Sequence, residues 1–364
     1  MNSRVRSLLS LFAVMALLAG VAIVTLRLLE LRRQPIHPAV SASQQALPSG
    51  GTCAGATHDL PGWPPARTEA AMAYDAARHV AVVFGGRVGA TLLGDTWTWN
   101  GHAWLLQHPT NSPSARAGSA IVYDARHQVV LLFGGADRLL NVPGSAFRND
   151  TWTWDGCTWT PMHSSGSPEL AEAVAAYDGA TNSVVLFGYE FGGLAQTWRW
   201  NDGGWILLHP SSSPPASSGA SMAYDAASHR VVLFGGFNQH SGFMNDTWTW
   251  DGANWTREHP KHRPAPRRGA ASSPDPAGAG IDLIGGIGAD SRVLNEFWVW
   301  DGADWSQRQA QALLVAREGA AAASDNDRRA IVLFGGVVAN VSGGRYADDT
   351  WTWDGRSWAR AGGS

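Results

Sequence analysis

The octapeptide NDTWTWDG occupies residues 149–156 and returns letter for letter at 245–252. Threonine and tryptophan alternate in it, and a period of two sets Trp152 and Trp154 on one face of a strand, with Thr151 and Thr153 on the other. The Asp-Gly that follows supplies the positive φ angles of a tight hairpin. The phrase therefore reads as one strand plus the turn that reverses it.

Compared with the rest of the chain, the phrase has six copies: DTWTWNG at 95–101, DTWTWDG at 150–156, TWRWNDG at 197–203, DTWTWDG at 246–252, EFWVWDG at 296–302 and DTWTWDG at 349–355. A third tryptophan follows each one: Trp104, Trp159, Trp205, Trp255, Trp305 and Trp358. Three rings in six copies account for 18 of the 19 tryptophans, and only Trp63 is left over. An aliphatic run ending in glycine precedes each copy, such as VVLLFGG at 129–135 or IVLFGG at 331–336, and before that lies a segment such as ARAGSAIVYD at 115–124. Each unit of about 50 residues thus predicts four short strands, a to d. Strand a ends at Tyr-Asp, b at Gly-Gly, c is the Thr-Trp segment and d starts at the third tryptophan. A four-stranded unit repeated six times predicts an all-β, six-bladed β-propeller over residues 66–360, each blade covering the apolar face of the next. The blades are expected at about 66–108, 115–163, 169–209, 216–259, 266–309 and 316–360. Regular recurrence assigns the rings to packing between blades, because a ligand site needs an asymmetric cluster.

The order Arg-x-Gly, Tyr-Asp, Phe-Gly-Gly, W-x-W and a final Trp resembles the kelch repeat family, which includes the central propeller of galactose oxidase. The resemblance covers essentially the whole body and implies kelch-type blades. Some copies depart from it, with Tyr189 at the second glycine of the third, and Pro274 and Ser324 at the tyrosine of the fifth and sixth.

In such a fold the b–c and d–a connections share one face. The c–d turns are uniformly short, whereas the b–c segments vary in length and chemistry, from RVGATLLG at 87–94 to ADRLLNVPGSAFRN at 136–149. Binding residues usually sit on variable loops of a rigid scaffold, so this face is the candidate site. Four arginines, Arg67, Arg116, Arg267 and Arg317, stand seven residues before the Tyr-Asp position, while copies three and four carry Leu170 and Ser217. Two readings compete: a broken ring of guanidinium groups that binds an acidic ligand, or arginines that bond loop carbonyls within their own blades. The second is favoured. Around the same mouth, Arg138, Phe147, Arg148, Tyr189, Phe191, Phe237, His240, Phe243, Arg345 and Tyr346 offer aromatic and basic contacts.

His108, His163, His209 and His259 recur after the last tryptophan of their blades and are too widely spaced to share a metal. Copper chemistry of the oxidase kind would need two Tyr and two His with a Tyr–Cys crosslink. Four of the six tyrosines are the repeated Tyr74, Tyr123, Tyr177 and Tyr224, and Cys157 falls in a c–d turn on the opposite face. No metal or cofactor is expected. The favoured function is a binding module for a protein or glycan. The alternative is a carbohydrate-active enzyme resembling the oxidase or a sialic acid epimerase, with Glu69, Glu172, Glu190 or His240 as candidate base.

Residues 1–33 are of another kind. The uncharged run LLSLFAVMALLAGVAIVTL at 8–26 is flanked by Arg4 and Arg6 and by Arg27, Arg32 and Arg33. Its 19 residues, at about 1.5 Å each, nearly span a bilayer core, which favours an uncleaved transmembrane anchor over a cleaved secretory signal. The propeller is placed outside the cytoplasm, where Cys53 and Cys157 could form a disulfide or remain two thiols. Residues 34–65 read as a flexible linker. A net charge of −3, with no cluster of Lys or Arg interleaved with aromatics in the body, argues against nucleic acid as a partner.

Overall fold

The computed structural model of the chain describes residues 62–137, 147–163, 166–190, 193–278, 280–309, 314–340 and 343–363. The apolar run at 8–26, the linker up to residue 61 and Cys53 lie outside them. Among the described residues every regular element is a strand, and no helix is long and apolar enough to cross a membrane.

Six four-stranded antiparallel sheets follow one another along the chain, each in the order a-b-c-d. In sheet one these strands are Ala71–Asp75, Val80–Phe84, Thr96–Trp99 and Trp104–Gln107. In sheet two they are Ala120–Asp124, Val129–Phe133, Thr151–Trp154 and Trp159–Met162. Sheet three uses Ala171–Asp178, Ser183–Tyr189, Ala195–Asn201 and Gly204–Leu208. Sheet four uses Ser221–Asp225, Arg230–Phe234, Thr247–Trp250 and Trp255–Glu258. Sheet five consists of Ala271–Pro274, Ile281–Ile284, Phe297–Trp300 and Trp305–Gln307, and sheet six of Ala321–Asp325, Ala330–Phe334, Thr350–Trp353 and Trp358–Gly362. Each a strand lies against the a strands of two neighbouring sheets, and that of sheet one touches both sheet two and sheet six. The sheets thus form a closed, propeller-like arrangement.

The core is divided among the seams. Six clusters of buried apolar side chains each draw on two successive sheets, the last joining Trp97, Trp99 and Trp104 of sheet one to Val332 and Phe334 of sheet six. Alternation along strand c explains the Thr-Trp pattern. Both rings face the preceding sheet, and the first threonine faces the following one, where the third tryptophan of that sheet finds it. Trp159 Nε1 donates to Thr96 Oγ1 at 2.9 Å, Trp205 to Thr151 at 2.8 Å, Trp255 to Thr197 at 2.9 Å and Trp305 to Thr247 at 2.8 Å. Trp104 donates to Thr350 at 2.8 Å, which closes the ring from sheet one to sheet six. A buried indole N–H without an acceptor would cost about 1–3 kcal/mol, so the threonine is part of the joint. Phe297 replaces it in sheet five, and Trp358 there packs ring against ring at 5.6 Å.

The tyrosine ending strand a is a second joint, at the other end of the seam. The hydroxyls of Tyr123, Tyr177 and Tyr224 come under the influence of the Ala77, Arg126 and Ala180 N–H groups of the preceding sheet, which donate to the turn aspartates Asp75, Asp124 and Asp178 at 2.9–3.1 Å. Tyr74 closes the ring by bonding Asp327 of sheet six. Pro274 and Ser324 cannot make this contact.

Candidate functional site

The four arginines of the mouth are inside the blades. Arg67, Arg116, Arg267 and Arg317 are at most 1% exposed. In sheet one, Arg67 Nη1 and Nη2 grip the two oxygens of Asp95 at 2.6 and 2.8 Å, Nη1 also donates to Gly85 O at 2.9 Å, and Nε donates to Pro65 O at 3.0 Å. Arg116 does the same to Asp150 and Gly134 O and Arg317 to Asp349 and Gly335 O, whereas Arg267 reaches a single oxygen of Glu296 through Nη2 and keeps Nη1 on Gly285 O. Four of the five guanidinium N–H groups of Arg67 are thereby occupied within the blade, which leaves little for a ligand. The carboxylate also accepts from the first tryptophan of strand c, as Trp97 Nε1 does to Asp95 at 2.7 Å.

Burial pushes these carboxylates up, but the guanidinium and the indole N–H outweigh it, so Asp95, Asp150, Glu296 and Asp349 all titrate below the usual range. The sequence carries a signature of this pairing. Where Leu170 replaces the arginine, Gln196 replaces the acid and still accepts from Trp198 at 2.8 Å. Where Ser217 replaces it, Asp246 turns to Arg257 of strand d at 2.6 Å.

Two residues after each arginine position the chain takes a left-handed turn: Glu69, Gly118, Glu172, Gly219, Gly269 and Gly319, with φ between 48° and 65°. Around the inner rim these residues are linked sheet to sheet, since Glu69 N donates to Gly319 O, Gly118 N to Glu69 O, Gly269 N to Gly219 O and Gly319 N to Gly269 O, each at 2.8–2.9 Å. Four of the six are glycine, for which the conformation is free of strain. Glutamates in it cost about 1–2 kcal/mol each.

Sheet three departs most. Five sheets end strand b with two left-handed glycines, a conformation Tyr189 resists, so the strand instead runs on to pair Gly188 with Gln196 and Tyr189 with Ala195. Strand a is bulged between Ala171 and Val174, and this irregularity holds Glu172. Its carboxyl is raised by burial and by the charge of Glu69, with Arg268 and the Gly219 N–H opposing. Glu318 is likewise raised by burial, with Arg268 opposing and Glu69 reinforcing. Glu69 itself is held in a bidentate pair by Arg87 at 2.7 and 2.9 Å, and Tyr346 also acts on Arg87, helping to raise it. The Arg268 guanidinium is 6.0 Å from the Phe237 ring centroid, and Phe237 meets Phe243 edge to face at 5.2 Å. Burial and the nearby Glu172 raise Tyr189. One mouth thus brings together Glu69, Glu172, Glu318, Arg87, Arg268, Tyr189, Phe237 and Tyr346.

The remaining expected residues are more peripheral. Phe147 bridges to Ala136 and Arg148 pairs with Asp137 at 3.0 Å. His240 is exposed in the turn after Asn238, which caps its backbone N–H at 2.8 Å. Arg345 is exposed opposite Val338. Arg138 and Phe191 lie outside the described residues. Among the described residues no cysteine is free, and no group of three His, Cys, Asp or Glu is placed to hold a metal ion. Sequence reasoning named Glu69 and Glu172 but missed Glu318, Arg87 and Arg268. Arg268 and Glu318 share a column with Thr68, Ala117, Ala171 and Ser218, and Arg87 one with Ala136, Glu190, Phe237, Ile287 and Val337, so their signal was disagreement between copies. No protein-family model matches the chain, and no curated protein matches it.

Proposed function

We propose that the chain is a kelch-type, six-bladed propeller, tethered to a membrane by residues 8–26 or exported, that binds a protein or glycan at the face bearing its b–c and d–a connections. The observation that carries this reading is the pair of glutamates, Glu69 and Glu172, in left-handed turns where four equivalents are glycine. A scaffold position that sacrifices local stability for a charged side chain at a concave mouth is a mark of ligand contact. Arg268 on Phe237, with Tyr189 beside Glu172, supplies the aromatic and charged anchors of recognition surfaces.

The test is a glycan and protein binding screen with the full-length chain and two variants, Glu172→Gly and Arg268→Ala. Glu172→Gly restores the residue found in four sister sheets and is expected to fold at least as well as the wild type. Each variant is expected to weaken binding at least about ten-fold, the loss of one charged hydrogen bond. Undiminished binding by both would sink the reading. An enzymatic reading has one specific support, the Glu172 carboxyl, which burial and the charge of Glu69 raise above its ordinary value, the direction that suits a general acid. Turnover of a bound sugar that disappears in Glu172→Gln while binding persists would favour it. The tether is tested by a periplasmic reporter fused after residue 364, expected to be active and incompatible with the placement if silent.

A further inference from the structure

The six seams are not equal. Those between sheets one and two, two and three, three and four, and six and one have both joints, the Trp–Thr hydrogen bond and the tyrosine contact. The seam from four to five keeps Trp305–Thr247 and loses the tyrosine to Pro274. Between five and six neither is present: Phe297 stands for the threonine, and Ser324 for the tyrosine, its hydroxyl turned to Asn326 within its own sheet at 3.3 Å. A cavity of about 80 Å3 opens beside Phe297, Arg308, Leu314 and Trp358 at this seam.

The same seam contains a buried acid. Asp282 in strand b is 0% exposed, at the position held by Val82, Leu131, Val185, Val232 and Val332 in the other sheets. Those side chains face the following sheet, as Val82 and Phe84 face sheet two and Val332 and Phe334 face sheet one, so Asp282 faces sheet six. Neither of its oxygens has a hydrogen-bond partner, and nor does the buried Oγ of its cross-strand neighbour Ser273. The charged groups acting on it both belong to sheet five. Arg308 lies 3.7 Å away but is engaged by Asp275 at 2.8 Å, and Asp275 repels it. From sheet six the seam receives Ile331, Leu333, Trp353 and Trp358, all apolar in contact.

We propose that the seam between sheets five and six is a proton-controlled joint, closed while Asp282 is neutral and opened to water when Asp282 ionises. An ionised carboxylate without a hydrogen bond, its one cation already engaged by Asp275, is costly to bury, and admitting water between the two sheets relieves it without unfolding the other five seams. Burial pushes the Asp282 carboxyl up to about 8 against the partial pull of Arg308. A raised carboxyl favours the closed seam fully at pH below the usual carboxylate range near 4, and that preference is lost as pH climbs through about 8. Opening therefore increases from mildly acidic to mildly alkaline conditions.

Hydrogen exchange of the full-length protein tests this at pH 5.5 and 8.5, with rates corrected for the intrinsic pH dependence of amide exchange. Amides of Ile281–Ile284 and Ala330–Phe334 are expected to open at least about ten-fold more often at the higher pH, while those at the seam between sheets two and three stay unchanged. Asp282→Val, the residue of four of the five sister sheets, is expected to abolish the difference. Asp282→Asn keeps the shape without the charge and gives the same reading should the valine variant fold poorly. Ser324→Tyr, which supplies the missing contact, is expected to slow opening at both pH values. A pH response shared by all seams, or one retained in both Asp282 variants, overturns the proposal.

Discussion

Arg317→Leu is expected to destabilise the protein by about 3–5 kcal/mol, because it strands a carboxylate that the fold has already removed from water. The Arg317 and Asp349 side chains are only 1% and 8% exposed, and their two hydrogen bonds, at 2.8 and 3.1 Å, sit beside a third from Trp351 Nε1 at 2.7 Å. The partner change Asp349→Gln should then recover most of the loss. Sheet three contains that pair naturally as Leu170 and Gln196, and the glutamine there still satisfies the indole. Replacing both members of a buried pair by well-packed neutral groups is commonly close to neutral. Urea unfolding of the single and double variants at pH 7 checks both halves, and a double variant no more stable than Arg317→Leu would contradict the pairing. The pH dependence has a definite sign. Asp349 is lowered in the folded state, so its contribution is complete above the unfolded value near 4 and is lost as pH falls through the lower folded value. Arg317→Leu should therefore remove part of the acid sensitivity of the wild type.

Regular features were legible in the sequence because each copy confirms the others. Strand identities, the tight c–d turns and the facing of the tryptophans follow from local alternation repeated six times. What the alternation could not reveal is what lies across a seam. Thr96 and Trp159 are 63 residues apart and Thr350 and Trp104 are 246 apart, so the threonine read only as the far side of a strand. The arginine ring was seen, and its burial against Asp95 and its equivalents shows in the sequence only through the joint loss of arginine and acid in the third copy. At the mouth the informative columns are those where copies disagree. Glu69 and Glu172 stand out once their four glycine counterparts are aligned. That Arg268 acts on both Glu172 and Glu318 depends on ring geometry, which brings sheets one, three, five and six around one opening. Asp282 was equally visible as IDLIGG against VVLFGG, but its lack of a hydrogen bond is a property of packing alone.

Trp159→Ala tests the seam as the unit of stability. The ring is 0% exposed, lies 5.4 Å from Trp154 of its own sheet and from Phe84 of the preceding one, and donates to Thr96. Truncation removes its apolar burial and leaves a cavity that a rigid sheet interface cannot collapse, so a loss of about 3–5 kcal/mol is expected. Two milder changes separate packing from hydrogen bonding. Thr96→Val keeps the volume and deletes the acceptor, with an expected cost of about 1–3 kcal/mol. The same substitution should have no effect beyond Trp159→Ala alone when the two are combined, because the donor is already gone. Trp63→Ala is the comparison outside the repeat. That ring is 45% exposed against Trp99, so its loss should cost less than half as much. Equal destabilisation by Trp63→Ala and Trp159→Ala in urea unfolding would mean that the repeated tryptophans do not carry the seams. A cost confined to Trp159→Ala and Thr96→Val would place the stability of the ring in the joint that NDTWTWDG encodes.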